Sequence, residues 1–390
     1  MIIAGYEFMG ELPFRDVYFT SILRDETGKK LSKSLGNSPD PFELFDEFGT
    51  DAVRFSIMLM APQGLDVFFS KDRLEIGRNF MNKLWNACRF IKMNTKLKSD
   101  NEFEFDDLDL PEKWILSRLS KMVHNYNQQL NRYHFNEAAK QLYEYIWNDF
   151  CDWYLEIAKT RFYGDNKLKA DISSAVSLKC IRTILILLHP YAPFITEELW
   201  THFKKKETSD LIITPWVKNE KYSSQSSEKN MNLLKEVITS IRSVRSRMNV
   251  PSSKYSELFV RCNDDEQMFF NDNLELIKIL ARLKKVIIGN DIQRPKQSAT
   301  VVVDSMELYI PLGGLIDLNE ERNRMKKRIV EINRILSGIN KKLSNNNFMC
   351  NAPKKVIDIE EKKKKDAIAK LKSLKKQLNS FDGFNSIHSK

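Results

Sequence analysis

Apolar positions recur at helical spacing over most of this chain. From about residue 72, Leu74, Met81, Leu84, Cys88 and Ile91 fall on one face of a 3.6-residue period. Ile115, Leu119, Met122, Tyr126, Leu130 and Tyr133 make a second stripe, and Phe135, Ala139, Leu142, Ile146, Phe150, Trp153 and Ile157 a third. Ile181, Ile184 and Leu188 make a fourth, stopped by Pro190 and Pro193. Amphipathic helices with short connections predict a bundle, and the aromatic residues among them read as core packing.

The pattern differs on either side of the bundle. Residues 1–70 carry short apolar runs at 17–23 and 53–60 between loops rich in Gly, Pro and Asp, the mark of a partial α/β layer. The run Met1-Ile2-Ile3-Ala4 has no cap before it, as though an element were cut through, and apolar strand edges are expected to be open there. The Ser-rich stretch 219–230 reads as a linker. A helix over 231–248, a strand over 257–261, a helix over 264–283 and strands near Val286, Val301 and Leu308 then make a small α+β module.

The last segment is the most regular. Leu318, Met325, Ile329, Ile332, Leu336, Ile339 and Leu343 follow a heptad, as do Ile357, Glu360, Lys364, Ala367, Leu371, Leu374, Leu378 and Phe381, with two polar positions weakening the start of the second seam. Ser344-Asn345-Asn346-Asn347 and Pro353 supply the turn. The expected fold is therefore mainly α. It comprises an α/β remnant (1–70), a helical bundle (71–220), a small α+β module (221–317) and an antiparallel coiled-coil hairpin (318–390).

Charge changes the picture of that hairpin. Residues 319–390 hold 19 Lys and Arg against 8 Asp and Glu, whereas the other 318 residues hold 43 against 44. All the excess positive charge sits on one element, which suits a polyanion such as nucleic acid; a solvated Lys-rich helix is the plain alternative. A hydrophobic fraction of 42% with 24 Phe excludes a disordered chain. No apolar run approaches the length needed to span a bilayer. Five cysteines without a close pair give no CxxC or zinc pattern and suit a reducing compartment. Cys151 and Cys180 lie in helix stripes as core thiols, and His189 before Pro190 reads as structural.

One segment carries chemistry. Lys30-Leu31-Ser32-Lys33-Ser34 sits in a loop after Asp25-Glu26-Thr27-Gly28 and before Leu35-Gly36-Asn37. Two ammonium groups with interleaved hydroxyls on a turn can clamp a triphosphate, and an exposed basic turn is the alternative for the pentapeptide alone.

Context decides between them. The run Gly28-Lys-Lys-Leu-Ser-Lys-Ser-Leu-Gly-Asn37, then Asp40-Pro41 and Gly49-Thr-Asp-Ala-Val-Arg-Phe55, resembles the KMSKS region of class I aminoacyl-tRNA synthetases, with Leu31 where the family usually has Met. Gly64-Leu-Asp-Val-Phe-Phe-Ser70 and Arg78-Asn-Phe-Met-Asn-Lys-Leu-Trp-Asn86 resemble the stem-contact helices of the valine, isoleucine and leucine subgroup. Trp147-Asn-Asp-Phe-Cys-Asp-Trp-Tyr-Leu-Glu156 and Leu188-His-Pro-Tyr-Ala-Pro-Phe-Ile-Thr-Glu-Glu-Leu-Trp200 resemble its anticodon-binding domain. Lys342-Leu-Ser-Asn-Asn-Asn-Phe348 and Ala352-Pro-Lys-Lys-Val356 resemble the C-terminal arm of the valyl family, and the Cys-rich zinc module typical of isoleucyl enzymes is absent from these residues. The likeness runs over essentially all 390 residues. The family's His-x-Gly-His signature is not found among the histidines at 124, 134, 189, 202 and 388, so the resemblance is to a C-terminal portion.

The resemblance implies an ATP-dependent ligase that attaches valine to tRNA(Val), cytoplasmic and monomeric, with Mg²⁺ accompanying ATP and no metal held by the protein. It implies that Lys33 stabilises the transition state of adenylate formation and that Lys30 assists at the triphosphate. Leu31, Ser32 and Ser34 complete the ATP-binding loop, while Asn37 and Asp51 shape turns and Arg54 is either a structural partner or an RNA contact. RNA contacts are expected from Trp147, Asn148, Asp152, Tyr154, Arg161, Arg242, Arg245 and Arg247, and from Lys341, Lys342, Lys354 and Lys355 at the hairpin tip. Without the His-x-Gly-His part this chain is expected to be inactive alone. A non-catalytic RNA-binding module is the competing reading, and a coiled-coil interaction protein with no RNA role is a third.

Overall fold

The computed structural model describes residues 1–62, 64–95, 103–205, 209–218, 222–313, 315, 318–345 and 354–382. The chain divides into two compact units, Met1–Asn232 and Leu233–Lys390.

Among its described residues the first unit is helices and loops apart from one pair of short strands. Helix α1 (Ile2–Met9) buries no residue. Strand β1 (Leu23–Arg24) pairs in parallel with β2 (Val67–Phe68). Between them lie α2 (Pro41–Phe48) and α3 (Thr50–Met60). Asp40 caps α2 by accepting from the Phe42 N–H, and Pro41 opens the helix where no donor is needed. The apolar run at 53–60, read from sequence as part of an α/β layer, is thus the body of a helix. Over residues 1–22 the chain turns large apolar side chains outward, with Ile3, Phe8 and Phe19 79%, 86% and 77% exposed.

The bundle follows the stripes. Helix α4 (Leu74–Asn94) buries Leu74, Met81, Leu84, Cys88 and Ile91, and α5 (Leu110–Asn131) buries Ile115, Leu119, Met122 and Tyr126. Tyr133 is off the expected stripe; it sits past the end of α5 with φ of 60°. Helix α6 (Phe135–Glu144) runs into a ten-residue π-helical segment, Tyr145–Tyr154, and on into α7 (Leu155–Phe162). The wider turn re-phases the third stripe, so that Tyr154 is fully buried while Trp153 is only half-buried. Helices α8 (Lys167–Leu188) and α9 (Pro193–Phe203) follow.

Helix α3 joins residues 1–70 to this bundle. It crosses α4 at Gly77, where a Cβ would lie 2.2 Å from the Ala52 carbonyl oxygen and 2.3 Å from Ser56 Oγ. Asp51 accepts from the Ile195 N–H at 2.6 Å, capping α9, and Arg54 donates to the carbonyls of Pro190 and Tyr191, both at 3.3 Å. Arg54 is therefore a structural partner. His189 Nδ1 meets Thr196 Oγ1 at 2.8 Å in the same corner.

Helix α10 (Gln225–Arg247) starts earlier than the linker reading allowed, because Ser224 Oγ accepts from the Ser227 N–H and caps it. The second unit is built on a mixed sheet of β3 (Ser256–Arg261), β4 (Leu283–Gly289), β5 (Ser298–Val303) and β6 (Met306–Pro311), in the order β4-β3-β6-β5. β3 runs parallel to β4 and antiparallel to β6, with Val260 opposite Leu308. The single helix expected over 264–283 is two, α11 (Asp264–Asp272) and α12 (Leu274–Ala281), broken at Asn273. The last two helices, α13 (Leu318–Leu343) and α14 (Lys354–Asp382), pack antiparallel, with Lys342 of one beside Glu360 of the other. The weak polar start of the second seam is resolved there: Glu360 is buried and paired with Lys363 at 2.8 Å and Lys342 at 3.9 Å. No helix among the described residues is long and apolar enough to cross a membrane.

Candidate phosphate-gripping loop and RNA-facing surfaces

The lysine–serine loop grows out of β1. Asp25 and the next three residues form a tight turn in which the Gly28 N–H donates to the Asp25 carbonyl at 3.0 Å, at a Gly28 φ of +88° that a side chain would strain. The Asp25 carboxylate organises the turn. Its Oδ1 accepts from Thr27 Oγ1 at 2.7 Å and from the N–H groups of Thr27 and Lys29, both at 2.9 Å. The Thr27 hydroxyl first, then the Asn37 amide, hold this carboxyl well below the ordinary range, at about 2. Arg24 fixes the base of the loop, meeting Asp66 at 2.5 Å and donating to the Gly28 carbonyl at 3.1 Å.

The pentapeptide follows. Leu31 N–H donates to the Leu23 carbonyl at 2.9 Å, tying the loop back to β1. Ser32 and Ser34 bring their hydroxyls within 2.7 Å of one another, and a short 3₁₀ turn, Lys33–Leu35, ends at Gly36 in the left-handed region. Lys30 and Lys33 are exposed, and neither has a carboxylate partner among the described residues. Two cations on an ordered turn, beside two hydroxyls, are the kinds of group that could hold a polyphosphate. Among the described residues, no group of three or more His, Cys, Asp or Glu could hold a metal ion.

The expected RNA contacts separate into two kinds. Trp147, Asn148 and Asp152 are brought together on the outer side of the π-helical segment. There Lys83 of α4 lies 3.9 Å from the centre of the Trp147 ring and bonds Asp152, while Tyr143 stacks on Trp147 at 5.6 Å. Lys83 was not singled out from sequence; its place in the Arg78–Asn86 run was the available signal. Arg247 is exposed near the end of α10, and Lys341 and Lys342 are exposed at the end of α13. The side chains of Lys354 and Lys355 lie outside the described residues.

Of the others, three face inward and Arg242 does not. Tyr154 is fully buried. Arg161 is 9% exposed and pairs with the fully buried Glu112 at 2.6 Å and with Asp109 at 3.2 Å. Arg245 is 6% exposed and donates to Ser256 Oγ at 2.7 Å and the Lys254 carbonyl at 2.6 Å. Arg242 keeps an exposed side chain but commits Nε to the Leu280 carbonyl at 2.9 Å. The expectation that Tyr154, Arg161 and Arg245 meet RNA is corrected accordingly: burial and internal partners give them structural work. Cys151 and Cys180 are buried, as expected of core thiols.

Three family models match this chain. They are described as tRNA synthetases class I (I, L, M and V) over residues 1–70, anticodon-binding domain of tRNA ligase over 112–260, and valyl tRNA synthetase tRNA binding arm over 317–382. The valine–tRNA ligase of Syntrophotalea carbinolica is 39% identical over 388 residues, 98% of this chain and 43% of that protein. That of Bacillus subtilis is 36% identical over 391 residues, 98% of this chain and 44% of that protein. Among solved structures, a LeuRS of Agrobacterium radiobacter K84, in a ternary complex with tRNA, matches at a TM-score of 0.44 and 18% identity. It covers 74% of this chain and 34% of that one, a likeness too weak to carry an argument. The chain spans less than half the length of the ligases it matches. From the class I match at the lysine–serine loop to the valyl-specific arm, with identity to valine–tRNA ligases along nearly its whole length, the chain belongs to the valyl-tRNA synthetase family and corresponds to the C-terminal portion of its members.

Proposed function

We propose that this chain grips the phosphates of ATP and the body of tRNA(Val) in an enzyme that activates valine and transfers it to that tRNA. In the first step the valine carboxylate attacks the α-phosphorus of ATP, giving valyl-adenylate and releasing pyrophosphate. Lys33 offsets the negative charge that grows on the departing pyrophosphate, Lys30 assists at the triphosphate, Ser32 and Ser34 supply hydroxyl donors beside them, and Leu31 completes the loop that carries them. Mg²⁺ arrives with ATP as part of the substrate. One such donor is worth roughly 3 to 4 kcal/mol in a transition state. In the second step a ribose hydroxyl of the terminal adenosine takes the valyl group and AMP leaves.

We assign this catalytic contribution to residues 1–70, stem and anticodon contact to 71–220, a supporting role to 221–317, and the grip on the outer corner of tRNA to 318–390. The RNA contacts we retain are Trp147, Asn148, Asp152, Arg242, Arg247, Lys341 and Lys342, with Lys83 added, and Lys354 and Lys355 kept from sequence. The apolar side chains exposed over residues 1–22 are suited to cover by the rest of a class I catalytic domain. Since no His-x-Gly-His occurs in these residues, the chain does not activate valine alone. We place the working enzyme in the cytoplasm as a monomer.

The observation that carries this reading is the pair of uncommitted lysines on an ordered loop, in a chain that ends in a strongly basic hairpin. The test mixes this chain with the portion of the Bacillus subtilis ligase that it does not match and measures valine-dependent pyrophosphate exchange. Exchange that needs both pieces and disappears with Lys33→Ala supports the proposal. Tight tRNA binding without exchange in any mixture favours the non-catalytic RNA-binding reading.

A further inference from the structure

Asp25 precedes the pentapeptide by five residues and Asn37 follows it by three, yet their side chains meet across the loop. Asn37 Nδ2 donates to Asp25 Oδ2 at 2.8 Å and to the Lys30 carbonyl at 3.2 Å, and Asn37 Oδ1 accepts from the Ser32 N–H at 2.9 Å. One amide therefore holds the backbone on both sides of Leu31, and Leu31 itself is tied to β1. We propose that Asp25 and Asn37 form a brace that sets the backbone from which Lys30 and Lys33 reach the phosphates of ATP, which makes them positioning residues of the reaction. The proposal rests on the reading of the loop given above.

Three features favour a brace over an ordinary turn. First, the geometry needs an acceptor toward Ser32 and two donors, toward Asp25 and the Lys30 carbonyl, from a single side chain, and a carboxamide offers all three. Aspartate at position 37 would keep the Ser32 bond but set two carboxylates face to face. Second, both oxygens of Asp25 are engaged, Oδ1 by Thr27 and Lys29 and Oδ2 by Asn37. The nearby anion is thus committed to the loop's own donors and pairs with neither lysine. Third, Lys30 and Lys33 depend on backbone placement alone, because no carboxylate among the described residues orients them. A cation that contributes only where charge develops must be held in place before the ligand arrives.

The test uses the full chain and the reactivity of individual lysines toward an amine-acylating reagent, read by mass spectrometry with and without Mg²⁺–ATP or inorganic tripolyphosphate. In the unaltered chain both probes protect Lys30 and Lys33. Asn37→Asp and Asp25→Ala lose that protection while lysines of the bundle react as before. The double variant Asp25→Asn with Asn37→Asp regains part of it, because the reversed pair still donates across the loop and the new carboxylate still accepts from Ser32, while the bond to the Lys30 carbonyl stays lost. Equal protection in the unaltered chain and both single variants would overturn the brace and leave the loop's phosphate role standing. A double variant no better than Asn37→Asp would also overturn it. No protection in the unaltered chain would remove the phosphate role, and the brace with it.

Discussion

Replacing Arg161 by methionine separates a structural role from an RNA-binding one. Arg161 lies against Glu112, which is fully buried; their contact is 2.6 Å, and Ser173 Oγ donates to the same carboxylate at 2.8 Å. Burial already pushes the Glu112 carboxyl above its usual range, with Arg161 opposing the shift. Methionine fills a similar volume but leaves the carboxylate without its cation. Breaking a buried pair this way costs about 3–5 kcal/mol, and at about 2–4 °C per kcal/mol for a unit of this size the melting temperature falls by about 6–20 °C. The sign with pH follows from the raised pKa. Below the unfolded value of about 4.5 the carboxyl is neutral in both states and carries no penalty; as pH rises, the unfolded chain ionises more readily and stability is lost until the folded group ionises too. The deficit is therefore largest near pH 7 and shrinks on acidification. Adding Glu112→Gln to Arg161→Met recovers a good part of it, since glutamine keeps the Ser173 bond. Thermal unfolding followed by circular dichroism between pH 4 and 8 reads all of this. A shift under about 2 °C at pH 7, or a shift that ignores pH, would refute the reasoning, as would a folded variant whose main defect is weakened tRNA affinity.

Other outcomes follow from the same structure. Gly77→Ala forces a methyl into the α3–α4 crossing against the Ala52 backbone and lowers stability by about 1–3 kcal/mol, measured by urea unfolding; an unchanged midpoint would show that the helices separate freely. Lys33→Ala lowers pyrophosphate exchange in the complemented enzyme by about 10²–10³-fold, and a defect confined to tRNA binding would contradict its assigned place. Lys341→Ala with Lys342→Ala flattens the dependence of log affinity for tRNA on log salt by roughly 0.7–0.9 for each phosphate the two lysines neutralise, read by filter binding over a salt series; an unaltered slope would make the hairpin's charge a solvation feature.

The bundle and the hairpin were legible because both rest on local periodicity. Leu74, Leu84 and Ile91 announce a buried helix face from spacing alone, and so do Leu336 and Ile339 on the first arm. The third stripe shows where that signal fails: Tyr145–Tyr154 winds as a π-helix, so extrapolation at 3.6 residues per turn put Trp153 inside and Tyr154 with the RNA contacts. The Arg residues failed for a related reason. Arg161 and Arg245 look like cations available to a phosphate until Glu112 and the Lys254 carbonyl are placed beside them, and those neighbours come from other elements or turns. Lys30 and Lys33 were visible through the motif itself. That Asn37 shapes the turn was legible too; its partner Asp25 was not, because their bond joins residues twelve apart whose meeting depends on the path of the loop between them. Glu360 looked like a flaw in the heptad; its two lysine partners show why a carboxylate is tolerated there.

The central claim is that this chain supplies both the phosphate grip and the tRNA grip of a valine–tRNA ligase. Esterification of radiolabelled valine to tRNA(Val), with this chain combined with the unmatched portion of the Bacillus subtilis enzyme, tests it most directly. The account predicts valyl-tRNA only when both pieces are present, and none when the chain carries Lys33→Ala. Valyl-tRNA formed at the same rate without this chain, or with the Lys33→Ala chain, would contradict it.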